Sequence, residues 1–175
     1  NLPPQEKLHF TAVVALGSEQ WTGSSVPFDA PATKDMEIGA ERVYEVYFHG
    51  PAYQVIESAG VSDGGAVGLL ARPLPPDTDP ADLHLVTLPR LLELCYQTAG
   101  VWALRNKQEM GLPAAFDTVR LVEPDKLPKR SHLYARVKAR SDGGSFDAEV
   151  LDRKGNVYLE LRGYRTVALP GRVAL

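Results

Sequence analysis

Apolar side chains occupy almost every face of residues 88–104, which predicts a buried helix. Leu, Cys, Ala, Val and Trp recur there at helical spacing, and Pro89 stands in the first turn, where a proline is tolerated. Glu93 and Gln97 are four residues apart and therefore share one face of this helix. A carboxylate inside an apolar helix is costly unless it is paired, hydrogen-bonded or protonated, so Glu93 is a candidate functional residue.

Alternating apolar and polar residues predict strands on both sides of the helix. Residues 44–48 alternate, and residues 53–59 and 66–71 flank a hairpin turn. Beyond the helix, whose expected stop is Gly111, four successive strands are predicted over residues 115–122, 132–140, 145–152 and 157–167. This order of elements is expected when an antiparallel sheet curls around one long central helix, which is the α+β hot-dog fold.

The first part of the chain has a different pattern. Residues 8–16 form a strand-like run, whereas residues 17–40 are rich in Gly, Ser, Pro, Asp and Thr and have little periodicity. The latter stretch is typical of a linker, and a compact domain is expected from Arg42 onward. Because the chain begins without Met, we expect it to be an excised piece of a longer protein.

Composition narrows the possible functions. With 175 residues, of which 44% are hydrophobic, the chain can bury one core. A net charge of -3 and dispersed basic residues argue against a nucleic-acid partner. Cys95 is the one cysteine and is expected to serve packing. No metal-ligand spacing, membrane-length apolar run or signal peptide is found, so we expect a soluble cytoplasmic protein without a metal or a membrane partner.

Four short motifs together resemble the C-terminal half of the dehydratase domains of modular polyketide synthases and of related polyunsaturated fatty acid synthases. They lie at residues 47–54, 89–97, 112–113 and 152–157. The resemblance covers residues 42–167 and implies a double hot-dog domain. Residues 1–16 would then be the final strand of the preceding half, residues 17–41 the linker, and residues 42–170 the C-terminal hot dog.

In that family the active site is shared between the two halves. The N-terminal half supplies a histidine from an HxxxGxxxxP motif, and the C-terminal half supplies an aspartate from a DxxxQ or DxxxH motif. None of the four histidines of this chain is followed by glycine four residues later, so the histidine motif is absent from it. Glu93 stands where the family has Asp, and His49 stands where its YGPxF motif has Tyr. The added methylene of Glu93 matters because a misplacement of about 1 Å can cost 10²-fold in rate.

The resemblance implies a β-hydroxyacyl dehydratase, a lyase that removes water by syn elimination. The substrate would be carried on the phosphopantetheine arm of an acyl carrier protein, with no cofactor bound directly. A histidine takes the α-proton, and a carboxylic acid on the central helix protonates the leaving hydroxyl. Glu93 fits the acid, because apolar surroundings favour a protonated carboxyl group, and Gln97 could orient it by a hydrogen bond. The alternative is a structural role, in which the side chain reaches a domain surface or forms an ion pair with a distant arginine.

The same resemblance implies residues that border the acyl tunnel, namely His49, Gly50, Pro51, Tyr53 and Tyr96. For His49 the alternative is a turn residue hydrogen-bonded to backbone. The implied partners are an acyl carrier protein and the N-terminal half of the same domain, with a homodimer also possible. Because the histidine motif is missing, the isolated chain is expected to be inactive.

Two other functions stay open at this stage. The chain could be a non-catalytic hot-dog unit that serves synthase assembly or holds the acyl chain, which the replacement of Asp by Glu93 permits. It could also be a free-standing acyl-CoA thioesterase, a class that uses the same fold and builds its sites across a dimer. The sequence upstream of Asn1 would separate these possibilities best.

Overall fold

The computed structural model describes residues 7–15, 20–81, 83, 85, 87–173 and 175. Their regular elements are, in chain order, β1 (Ser24–Ser25), β2 (Ile38–Gly39), α1 (Ala40–Tyr44), β3 (Ile56–Ser62), β4 (Gly65–Leu70), α2 (Pro89–Lys107), β5 (Gly111–Ala115), β6 (Thr118–Leu121), β7 (Leu133–Ala139), β8 (Ser145–Asp152) and β9 (Asn156–Ala168). Short 3-10 turns occur at Thr33–Asp35, Pro51–Tyr53 and Pro124–Lys126.

The strands form one antiparallel sheet around the long helix α2. Their order is β1-β9-β8-β7-β4-β3-β2, and β5 and β6 also pair with β9. The helix packs against β3, β4, β7 and β8, and its residues Leu94, Cys95, Ala99 and Val101 are fully buried. The predicted hot-dog arrangement is confirmed.

The long helix ends at Lys107, beyond the apolar run of residues 88–104 and before the predicted stop at Gly111. Gln108 follows its last residue, Lys107, with a left-handed φ of 58°, and its backbone N–H donates to the carbonyl of Leu104. This local cap satisfies a carbonyl of the last turn. Gly111 is therefore not the stop, and it begins β5 instead.

Three of the four strands after the helix are confirmed as β7, β8 and β9, and the hairpin before the helix is confirmed as β3 and β4. The strand predicted over residues 115–122 is instead split into β5 and β6. The two strands pair with different parts of the long strand β9: β6 pairs with residues 159–162 and β5 with residues 165–168. Between these parts lies Gly163, whose left-handed φ of +64° departs from regular strand geometry.

The predicted strand at residues 44–48 is wrong, because α1 ends there and a turn follows. Val43 and Tyr47 are both buried and lie four residues apart, and the backbone N–H of Tyr47 donates to the carbonyl of Val43. The helical spacing of these two core residues outweighs an alternation that spans only five positions.

The described part of residues 17–41 contains the short strands β1 and β2, and the role of this stretch as a linker between two halves stays a prediction. β1 pairs with β9, and β2 pairs with β3, so this stretch adds a short strand at each end of the strand order. Met36 and Ile38 are buried there. Two apolar residues in a short segment are enough to anchor it, yet too few to produce a periodic pattern. Residues 17–19 lie outside the described part of the chain.

Residues 7–15 have no regular secondary structure, and the side chains of Leu8, Phe10, Val13 and Val14 are exposed. A strand needs a hydrogen-bonded neighbour, and the described residues provide none for this segment. The strand expected at residues 8–16 is therefore not formed within this chain. Its assignment to a preceding hot-dog half stays a prediction, and residues 1–6 and 16 lie outside the described structure.

Candidate functional site

Glu93, in the second turn of α2, faces the segment that connects α1 to β3. His49 of that segment places its Nε2 atom 2.9 Å from Glu93 Oε1. The side chains of His49 and Glu93 are 20% and 23% exposed, so the pair is largely covered yet reachable from outside. The expected apolar surroundings of Glu93 are thus interrupted by a polar partner. That partner is a histidine and not the distant arginine of the alternative interpretation.

Gln97 is buried one turn further along α2, and its hydrogen bonds define the orientation of its amide. The hydroxyl of Tyr44 accepts from the backbone N–H of Ile56 at 2.8 Å and donates to Gln97 Oε1 at 2.7 Å. Gln97 Nε2 then donates both of its hydrogens, to the carbonyl of Tyr53 at 2.8 Å and to Glu93 Oε1 at 3.0 Å. Oε1 of Glu93 is therefore an acceptor.

The imidazole of His49 is held by ring contacts. It stacks on Phe48 with ring centroids 5.0 Å apart, and its centroid lies 5.5 Å from that of Tyr47. Its Nδ1 atom is buried and has no hydrogen-bond partner among the described residues. The backbone carbonyl of His49 accepts from Gln54 Nε2 at 3.1 Å. The expected turn is present, but the imidazole itself points at Glu93 rather than at backbone.

A cavity of about 250 Å³ opens beside this pair, and Tyr47, His49, Glu93, Tyr96, Gln97 and Tyr164 are among the residues that line it. The rings of Tyr96 and Tyr164 stack with their centroids 4.4 Å apart. Burial, with smaller contributions from nearby Cys95 and Glu93, raises the pKa of Tyr96 to about 12. Burial also raises the pKa of Tyr47 and of Tyr164. These phenols stay protonated near neutral pH and offer hydrogen bonds instead of accepting protons.

The predicted tunnel residues divide into two groups. His49 and Tyr96 line the cavity, whereas Gly50, Pro51 and Tyr53 form the turn beside it. The backbone N–H of Tyr53 donates to the carbonyl of Gly50 at 2.9 Å, which closes this turn. The contribution of Tyr53 to the site is its own carbonyl, which accepts from Gln97.

Tyr44 is a site residue that the sequence interpretation missed. Its hydroxyl bridges α2 and β3 and thereby determines which end of the Gln97 amide faces Glu93. Burial raises the pKa of Tyr44, so it remains a proton donor to Gln97. Its place in a predicted strand concealed this role, and only the packing of α1 against α2 reveals it.

A larger cavity of about 520 Å³ lies near the start of α2, and Leu70, Leu74, Leu85 and Leu91 are among its lining residues. Arg90 and Asp77 form an ion pair of 3.1 Å at its wall. Its larger volume does not make it the better candidate site, because no histidine is among its described lining residues and its carboxylate, Asp77, is already paired. The chemistry of this chain is concentrated at Glu93.

No group of three or more histidine, cysteine, aspartate or glutamate side chains in the described part of the chain is arranged to hold a metal ion. Among the same residues, no helix combines the length and the hydropathy that a membrane span requires.

Comparison with known proteins places this geometry in a family. The model named PS-DH, described as the polyketide synthase dehydratase N-terminal domain, matches residues 36–175. That description names an N-terminal domain, whereas the sequence motifs predict the C-terminal half.

Solved structures match the same fold at low sequence identity. The dehydratase domain from the CurF module of the curacin polyketide synthase is 20% identical, with a TM-score of 0.66, and the match covers 86% of this chain and 55% of that one. A trans-AT polyketide synthase dehydratase domain from Brevibacillus brevis is 16% identical, with a TM-score of 0.67 and the same coverage. The chain thus spans about half the length of these dehydratase domains.

A third solved relative is the dehydratase domain from the CurK module of the curacin synthase. It is 20% identical, has a TM-score of 0.60, and is matched over 77% of this chain and 50% of that one. Two of its variants, one with an aspartate changed to asparagine and one with a histidine changed to phenylalanine, are described as inactive. Since the family model covers most of the sequence, this chain belongs to the polyketide synthase dehydratase family.

Proposed function

We propose that the chain is the C-terminal hot-dog half of a dehydratase domain and that Glu93 is its acid. The reaction would remove water from a β-hydroxyacyl group carried on an acyl carrier protein and leave an enoyl thioester. One observation carries the proposal: a carboxyl group on the central helix faces a cavity, with Oε1 held by Gln97 and no partner for Oε2 among the described residues.

The assignment to the C-terminal half is supported by the residues that are present and by a motif that is missing. Glu93 and Gln97 keep the carboxylate-x-x-x-Gln spacing on the central helix, and no histidine of the chain is followed by glycine four residues later. The description of the matching family model favours the N-terminal half instead. The sequence of the complete gene decides between the C-terminal and the N-terminal assignment. An HxxxGxxxxP motif roughly one hot-dog length before Asn1 supports the assignment, whereas that motif beyond Leu175 contradicts it.

In the proposed reaction each half supplies one group. A histidine of the preceding half removes the α-proton, the electrons of that C–H bond form the double bond, and the bond from the β-carbon to oxygen breaks. Glu93 donates its proton to the departing hydroxyl, which leaves as water, and Glu93 becomes a carboxylate. The N–H of Gln97 stabilises the negative charge that develops on this group, because it points at Oε1 before the reaction begins.

An exposed apolar surface beside the cavity supports a second half as partner. Phe48 and Leu112 both line the cavity and are exposed, with Phe48 71% accessible. Phe116 and Val167 are exposed on or next to the strands β5 and β9. Apolar side chains at the edge of a site are typical of surfaces that another unit covers. We expect the N-terminal half to pack here, and the acyl carrier protein to deliver its phosphopantetheine arm to the cavity between the halves.

Replacing Glu93 with glutamine in the intact synthase tests the acid directly. The amide keeps an oxygen that can accept from Gln97, so the fold should persist, but it cannot deliver a proton to the leaving hydroxyl. We expect turnover to fall by about 10²-fold or more, which is the usual contribution of a general acid. Glu93→Asp should be milder, because the acid is retained although its reach is shortened.

Glu57→Gln is the matched control, because Glu57 is exposed on β3 and the same chemical change there should leave turnover unaltered. Full turnover by a well-folded Glu93→Gln variant would reject the catalytic assignment and favour a non-catalytic hot-dog unit. A loss of thermal stability with unchanged turnover per folded molecule would identify a structural role. The family match favours a dehydratase over the thioesterase alternative.

A further inference from the structure

We propose that His49 is a positioning residue which, together with Gln97, holds Glu93 through Oε1 and reserves Oε2 for the proton that is transferred. The inference rests on the proposed function, since it gives His49 a role in the action of Glu93. It also excludes a different role for His49, that of a base which takes a proton from the substrate.

A single hydrogen lies between the side chains of His49 and Glu93. Their Nε2 and Oε1 atoms are 2.9 Å apart, and two bare lone pairs at that distance would repel each other. One of the two atoms therefore carries a hydrogen. Because Oε1 already accepts an N–H from Gln97, and the hydroxyl oxygen of a carboxylic acid is a poor acceptor, the hydrogen belongs on Nε2.

The surroundings of the other ring nitrogen determine whether His49 carries a second proton. Nδ1 of His49 is buried and has no partner in the described part of the chain. A second proton there would create a charged ring with a buried and unsatisfied N–H, which is costly. The geometry therefore holds His49 as the neutral tautomer with its hydrogen on Nε2. Its one free lone pair is on the buried Nδ1 atom, so the ring is poorly placed to take a proton from a substrate.

The lengths of the two side chains couple residues 49 and 93. The extra methylene of Glu93, compared with aspartate, brings Oε1 close to both His49 and Gln97. Aspartate at position 93 would lie further from His49, because its side chain is shorter. Tyrosine at position 49 would restore the contact, because its phenol extends further than imidazole. His49→Tyr and Glu93→Asp should therefore compensate for each other, and the identities of residues 49 and 93 are coupled.

Three substitutions at position 49 test the role in the intact synthase. His49→Phe keeps the stacking on Phe48 and removes the donor, and we expect kcat to fall about tenfold or more with KM nearly unchanged, as for a lost hydrogen bond to a charged or acidic group. His49→Gln keeps an N–H donor at similar reach, and we expect it to recover most of the wild-type kcat. In a double-mutant cycle, the kcat of the variant that combines His49→Tyr with Glu93→Asp should be about tenfold higher than the value expected if the two single losses multiplied.

Several results would overturn the inference. Wild-type kcat for His49→Phe would show that the contact has no role. Equal inactivity of His49→Gln and His49→Phe would identify His49 as a base, because glutamine can donate a hydrogen bond but cannot accept a proton from carbon. Independent single effects at residues 49 and 93 would remove the coupling between them. Glu93→Gln measured in parallel keeps the two hypotheses separate, because its full activity rejects the proposed function, whereas its inactivity beside an unaffected His49→Phe rejects only the positioning role.

A spectroscopic measurement tests the contact without relying on activity or on the folding of His49→Phe. In the intact domain labelled with ¹⁵N-histidine, the His49 ring is identified by the signals that disappear in His49→Gln. We expect nitrogen shifts of the neutral tautomer with hydrogen on Nε2, and a tautomer mixture in Glu93→Asp. The other tautomer in the wild-type protein, or identical spectra for the wild type and Glu93→Asp, would contradict the inference.

Discussion

Gly100 of α2 provides a test of how the helix packs against the segment that carries His49. A Cβ atom built at Gly100 would lie 2.2 Å from the hydroxyl oxygen of Tyr47 and 3.3 Å from Cζ of the same ring. That hydroxyl donates to the carbonyl of Gln97 at 3.0 Å, and Tyr47 is only 8% exposed, so it has little room to move. Glycine is needed here for close approach rather than for an unusual backbone conformation.

Two opposing effects determine the result of Gly100→Ala. Alanine gains about 1 kcal/mol over glycine in the middle of a helix. Overpacking a buried site costs about 1–3 kcal/mol, and displacing the Tyr47 hydroxyl costs roughly 1 kcal/mol more. The net expectation is a loss of about 1–3 kcal/mol in the free energy of unfolding. In a Tyr47→Phe background the closest atom is absent while Cζ stays 3.3 Å from the added Cβ, so the loss caused by the same change should be smaller by about 1 kcal/mol or more.

Urea unfolding followed by circular dichroism measures both backgrounds. Gly144→Ala is the control, because nothing lies within 4 Å of the added Cβ, and its effect should stay within about 0.5 kcal/mol. A stabilising Gly100→Ala in the wild-type background would refute the reasoning. So would equal effects in the two backgrounds, since residues in contact should show coupling above about 0.5 kcal/mol.

Two further predictions concern activity and acid stability. The isolated chain should not interconvert β-hydroxyacyl and enoyl pantetheine thioesters efficiently in a coupled absorbance assay, because it lacks the family's histidine motif; efficient turnover would contradict the proposed division of the site. Burial raises the pKa of Asp152, but hydrogen bonds from Asn156, Tyr158 and Lys154 outweigh it and lower this pKa below its ordinary value of 3.8. The folded state thus gains stability from Asp152 above that value and loses this stability as pH falls through the lowered pKa. In urea unfolding, Asp152→Asn should therefore lower the free energy of unfolding at pH near 7 and change it little near pH 2. Equal losses at both pH values would contradict this.

The strands that follow the helix were predictable because their pattern is local. In β7 and β8, alternation and flanking turn residues carry the information, and neither depends on distant contacts. The split between β5 and β6 was not predictable in this way. It coincides with the left-handed φ of Gly163 in β9, which is more than forty positions further along the chain, and no local pattern of residues 111–121 records it.

The site was predictable in part for a similar reason. Glu93 and Gln97 are neighbours because of helical geometry alone, and their hydrogen bond follows from a spacing of four residues. The contact of His49 with Glu93 depends instead on how α1 and the following turn pack across α2. Tyr44 was missed because its partners, Ile56 and Gln97, lie on two other elements. Tertiary packing brings these groups together, and the local pattern of apolar and polar residues does not show which elements will pack against each other.

The central claim is that Glu93 gives its proton to the leaving hydroxyl through Oε2. The most direct measurement is a crystal structure of the intact dehydratase domain with a bound β-hydroxyacyl pantetheine analogue. We expect the β-hydroxyl oxygen within about 3.2 Å of Glu93 Oε2, while Oε1 keeps its contacts with His49 and Gln97. A β-hydroxyl group bound away from Glu93, or bound to Oε1 in place of Gln97, would contradict the account.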